Sequence, residues 1–104
     1  MKNRVTIPKE QLEAFCLRWK VAEVALFGSV LRDDFRPDSD VDVLVSFMPE
    51  ARFGLFDLAR MQKELEVILG REVDLVEKEA VEQSRNYLRR KAILSSAEVV
   101  YAAR

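Results

Sequence analysis

Two aspartates, Asp40 and Asp42, stand one residue apart at the head of a valine-rich run, and a third, Asp74, interrupts a second such run, "EVDLV". In an extended strand, residues i and i+2 share a face with their Cα atoms about 6.7 Å apart, so Asp40 and Asp42 point the same way. Carboxylates placed side by side repel one another unless water or a cation neutralises them. The chain has no histidine, and an oxygen-only donor set selects a hard ion, Mg2+ or Mn2+, over Zn2+. If the strand carrying Asp74 lies beside the one carrying Asp42, three carboxylates could hold two ions roughly 4 Å apart. That arrangement clamps the attacking and leaving oxygens of an in-line phosphoryl displacement. Gly28 and Ser29 follow an earlier apolar run and suit the same chemistry. Glycine lets the backbone approach a phosphate, and the amides of a following helix start can bind it. A nucleoside triphosphate is the ligand these residues imply.

Each piece also has a plainer reading. An isolated Asp-x-Asp is commonly a turn or a solvated strand end, Gly-Ser is commonly a turn, and Asp74 could pair with Arg71. Asp33, Asp34 and Asp38 read as loop or cap residues. The conjunction of all three signals in one short chain is what points to chemistry.

The absence of histidine removes Ser-His and Cys-His catalysis, His-ligated metals and imidazole acid-base work. Cys16 is the only cysteine, which excludes an internal disulfide and thiolate zinc sites and leaves it the role of a small core hydrophobe. A length of 104 residues, 49% hydrophobic and 34% charged, is expected to form one domain over residues 1–104 with a real core. The net charge of -1 gives no global field to hold nucleic acid or an anionic membrane, so direct nucleic-acid binding is not favoured. No apolar run approaches the roughly 20 residues of a membrane span, and "MKNRVTIPKE" has no apolar signal core. The expected location is cytoplasmic.

The elements that must position these acids can be read from periodicity. Leu12, Phe15, Cys16 and Trp19 lie at helical spacing after Pro8, predicting a first helix. "VAEVALF" predicts a strand that breaks at Gly28-Ser29 into a turn or short helix, and "VDVLVSF" a second strand, with the polar "RDDFRPDSD" between them. Leu55, Leu58, Met61 or Gln62, Leu65, Ile68 and Leu69, stopped by Gly70, mark the clearest helix. "REVDLVE" follows as a third strand, then a helix around Tyr87 to Leu94 and a possible edge strand at Glu98 to Tyr101. The expected fold class is α+β, with helices packed on a small mixed β-sheet.

Gly28-Ser29, ten residues, then Asp40-x-Asp42 resembles the signature of the DNA polymerase β-like nucleotidyltransferase superfamily. "FGSVLRDDFRPDSDVDVLVSF", "LFDLARMQKELEVILGREVDLV" and "AEVVYA" are similar to the minimal nucleotidyltransferases, the MNT or MntA-type antitoxins, from about Val21 to Tyr101. The resemblance implies a nucleotidyltransferase fold like the polymerase β palm and a Mg2+-dependent enzyme. Its implied reaction transfers AMP from ATP to a tyrosine of a HEPN-domain toxin partner, sometimes several times over. Asp40 and Asp42 would then ligate both metal ions, Asp74 the catalytic ion near the acceptor hydroxyl, and Gly28 and Ser29 the β- and γ-phosphates. Arg32 matches an arginine three residues after the family's serine and could reach the triphosphate, or else pair with Asp33 or Asp34. The chain departs from its relatives at Asp33, where many have glycine, and at Val30 and Leu31, where small or polar residues are common.

Two other functions compete: an antitoxin that inhibits by binding alone, and nucleotidyl transfer to RNA or a small molecule. Arg85, Arg89, Arg90 and Lys91 on the last helix read either as a solvated face or as a surface for an acidic partner or RNA.

Overall fold

The computed structural model describes residues 7–28 and 40–103. In chain order they form α1 (Lys9–Arg18), β1 (Val21–Phe27), β2 (Val41–Phe47), α2 (Leu55–Leu69), β3 (Val73–Glu77), α3 (Lys78–Glu82), α4 (Tyr87–Ser96) and β4 (Glu98–Ala102). The four strands make one sheet in the order β3-β2-β1-β4. β1 is antiparallel to both β2 and β4, whereas β2 and β3 run parallel, joined through α2. The sheet is therefore mixed, and the fold is the α+β class expected from the sequence.

Each strand sends alternate side chains to opposite faces, and the two faces have different covers. Val41, Val43 and Val45 of β2 join Val24 and Leu26 of β1, Val73 of β3, Leu12, Phe15 and Cys16 of α1 and Met61 and Leu65 of α2 in the larger core. Ala25 and Phe27 of β1 and Leu44 of β2 face the other way, against Val81 of α3 and Ile93 of α4. A register irregularity between Val21 and Glu23 lets Val21 share the larger core with Val24 despite their odd spacing. Cys16 is buried and without a disulfide partner, as its core role required. Burial, then the nearby Glu13 carboxylate, pushes its thiol up to about 12.

α2 is bounded as its sequence predicts. The Gly54 N–H donates to Asp57 Oδ2 at 3.0 Å at its start. Gly70 ends it at φ 69 with its N–H on the Glu66 carbonyl. Met61 and Leu65 are buried, and Leu58, Ile68 and Leu69 pack on the same core. Leu55, expected on that face, is instead 84% exposed. It occupies the first helical position, where the first turn overhangs the packed layer and its neighbour Phe56 is also exposed.

Two further features are corrections. α3 has no counterpart in the periodicity reading, since Val81 is its one buried residue and a single turn and a half cannot show a repeat. The third strand begins at Val73 rather than Arg71. The turn or short helix expected after Gly28 and the polar loop before Asp40 fall outside the described residues.

Candidate active site

Asp42 can sit inside the second strand because only one face of that strand's first residues is buried. Asp42 shares its face with Leu44, toward α3 and α4, while Val41 and Val43 fill the larger core behind it. In the parallel pairing of β2 and β3, Asp42 lies directly opposite Asp74. Asp74 takes the same face as Val76, which packs on the α3–α4 side. The sheet thus brings two carboxylates, 32 residues apart in sequence, onto neighbouring strands at one end of one face. The Val41 N–H donates to the Glu72 carbonyl at 2.9 Å, fixing the register one residue before the acids meet. Asp42 is half-buried and Asp74 exposed. Asp40 is exposed at the entrance to β2, outside the strand proper.

β1 completes this corner. Phe27, its last residue, pairs with Asp42, and Gly28 follows with φ 77. A Cβ at Gly28 would collide with the Asp42 carboxylate. The position therefore requires glycine both for its left-handed backbone and for the space that Asp42 occupies. Gly28 and the carboxylates, placed on separate motifs in the sequence, become one site.

Ser29, given a phosphate-binding role by the resemblance, and Arg32, expected either to reach the triphosphate or to pair with Asp33 or Asp34, lie outside the described residues, as do Asp33, Asp34 and Asp38. Among the described residues, no three Asp, Glu or Cys side chains converge closely enough to hold an ion. The register joins Asp42 to Asp74, whereas Asp40 is exposed just before β2, so the three carboxylates expected from the sequence to converge are brought together here as a pair, with the third one strand step away. The donor set of this corner is oxygen alone, which suits a hard divalent cation.

The basic residues of α4 divide. Arg90 is half-buried and structural: its Nη1 donates to the Ser84 carbonyl at 3.1 Å and to that of Glu82 at 3.5 Å, and its guanidinium lies 5.4 Å from the centroid of the Tyr87 ring. Arg85, Arg89 and Lys91 are exposed. The loop contacts of Arg90 carry no sequence signal, because its partners are backbone carbonyls of a turn that periodicity does not reveal.

Comparison with known proteins gives the family and the fold. The nucleotidyltransferase-domain family matches residues 8–100. The protein adenylyltransferase MntA of Thermococcus cleftensis is 40% identical over 81 residues, covering 78% of this chain and 77% of that protein. A solved structure provisionally described as a minimal nucleotidyltransferase is 36% identical and superposes with a TM-score of 0.64, over 86% of this chain and 85% of that one. A structure of a tri-AMPylated Shewanella oneidensis HEPN toxin in complex with its MNT antitoxin has a chain of the same fold, with a TM-score of 0.60 at 16% identity, over 91% of this chain and 70% of that one.

Proposed function

The chain belongs to the nucleotidyltransferase-domain family, and from that premise we propose that it transfers AMP from ATP to a tyrosine hydroxyl of a HEPN-domain toxin, as that toxin's antitoxin. The observation that carries the reading is the pairing of Asp42 with Asp74 on one sheet face, with Gly28 against Asp42. The name of the Thermococcus relative, protein adenylyltransferase MntA, supports AMP as the transferred group, and the toxin–antitoxin complex of like fold supports the partner.

In this reading the acceptor oxygen forms a bond to the α-phosphorus of ATP, the bond from that phosphorus to the bridging oxygen breaks, and pyrophosphate leaves with the electron pair. The tyrosine proton is lost to solvent. A divalent cation, Mg2+ or Mn2+ by donor chemistry and Mg2+ by the family resemblance, would be held by Asp42 and Asp74 with Asp40 and would supply Lewis-acid stabilisation to the phosphoryl group and the nucleophile. The resemblance gives Gly28 and Ser29 the β- and γ-phosphates to bind, and Arg32 would supply a guanidinium to the same oxygens. Asp74 is exposed on an edge strand, so a tyrosine carried by a partner chain can approach it without opening the core. A tyrosine hydroxyl, with pKa ~10, is protonated at neutral pH and needs this activation.

Among the described residues no helix is long and apolar enough to cross a membrane, which accords with a cytoplasmic enzyme acting on a protein partner. The test is mass analysis of the HEPN partner after incubation with Mg2+ and ATP. Growth in AMP-sized steps on a tyrosine is expected, and a stable complex with no mass change would instead establish inhibition by binding.

A further inference from the structure

The face that carries Asp42 and Asp74 continues past the carboxylates into a cleft of about 130 Å³. Its floor is Val76, two residues beyond Asp74 on the same face of β3, and its walls are α3 and α4, with Ser84, Arg89 and Arg90 among the lining. Two guanidinium groups thus border a small cavity beginning about 6.7 Å, one same-face step, from Asp74. They differ in state. Arg90 is committed to backbone carbonyls, whereas the side chain of Arg89 is exposed and makes no ion pair among the described residues. The nearby apolar lining lowers the local dielectric, and the fixed positive charge of Arg90 adds its own attraction for an anion. A cavity of this size accommodates a phosphate group and is too small for a nucleotide.

Resting on the reading above, we propose that this cleft is an acceptor-side anion subsite. It receives the phosphodiester of an AMP already attached to the partner, with Arg89 as the group that turns to it. The product of a first transfer differs from the unmodified tyrosine in two ways: it carries a phosphodiester anion, and it presents ribose hydroxyls one nucleotide's reach away from it. Seating the anion between Arg89 and Arg90 brings a ribose hydroxyl back to Asp74. In the second transfer that hydroxyl oxygen bonds to the α-phosphorus of a new ATP, the bond to the bridging oxygen breaks, pyrophosphate leaves and the hydroxyl proton passes to water. The cleft favours repeated addition over release after one. Arg89 is a specificity residue for the modified acceptor.

The test has two readouts. In the first, O-adenylyl-tyrosine amide is titrated into the protein whose nucleotide site is filled with Mg2+ and the α,β-methylene analogue of ATP. Wild type is expected to bind it about tenfold more tightly than Arg89→Gln, the loss typical of a charge-assisted contact, and more tightly than it binds tyrosine amide. Equal binding by the two proteins, or equal binding of modified and unmodified tyrosine, overturns the proposal, and this holds whether or not the protein modifies a toxin. In the second, intact mass of the HEPN partner gives the rate of second addition relative to first, and Arg89→Gln should lower that ratio at least fivefold. An unchanged ratio overturns the proposal, while absence of any addition by wild type counts against the transferase reading alone.

Discussion

At the scale of single residues, the site depends on one contact that a side chain would destroy. Gly28 has a left-handed backbone, and its missing Cβ leaves room for the Asp42 carboxylate. Gly28→Ala adds backbone strain of about 1–2 kcal/mol and pushes Asp42 from its place opposite Asp74. We expect the variant to stay folded with a lowered melting temperature and to lose nucleotidyl transfer far beyond what that destabilisation explains. Calorimetry and a transfer assay on the same preparation check this, and full activity in a folded Gly28→Ala would show that Asp42 needs no such clearance.

At the scale of elements, the helices and strands were legible to different degrees for physical reasons. "VAEVALF" and "VDVLVSF" read as strands over the spans they occupy, because each is a short apolar run, too short for a typical helix, closed by a turn residue such as Gly28 or Pro49. Asp40, Asp42 and Asp74 stand out in the sequence as acids at the edges of apolar runs, but only sheet pairing shows that Asp42 and Asp74 are register partners, since register is a tertiary property. α3 was illegible because one buried valine leaves no period. The apolar repeat of α2 placed Leu65 correctly and Leu55 wrongly, since a repeat says which side faces inward and not where the layer beneath it ends. The difference is measurable: Leu65→Ala should cost about 2–5 kcal/mol, and Leu55→Ser should stay within about 0.5 kcal/mol of wild type. Urea denaturation of the two variants checks it, and comparable losses would place the first turn of α2 inside the core.

At the scale of the whole molecule, the layers are fastened where the α1–β1 turn meets α2. Glu64 of α2 accepts from Trp19 Nε1 at 2.8 Å and from Arg18 Nη2 at 2.6 Å, and Trp19 packs edge-on against Phe53. Burial alone would raise the Glu64 pKa, but the hydrogen bonds from Trp19 and Arg18 outweigh it and hold the carboxyl below the ordinary glutamate value. A depressed folded pKa means that the stabilisation is present above the unfolded value, near 4.5, and is lost as pH falls through the folded one. The carboxylate is about one-third exposed, so the effect is small. Glu64→Gln should therefore lower stability modestly at pH 7 and flatten the acid limb of the stability curve, while a limb of unchanged slope in thermal melts across pH would remove Glu64 from the linkage.

The corner spanned by β1, β2 and β3 is tested most directly by the rate of AMP gain by the HEPN partner, followed by intact mass with Mg2+ and ATP. Wild type should add AMP. Asp42→Asn and Asp74→Asn, each shown to be folded, should be slowed at least about 100-fold, as the loss of several kcal/mol of transition-state stabilisation requires. Transfer at the wild-type rate by both variants would mean that the register pair takes no part in the reaction and that this corner is not the active site.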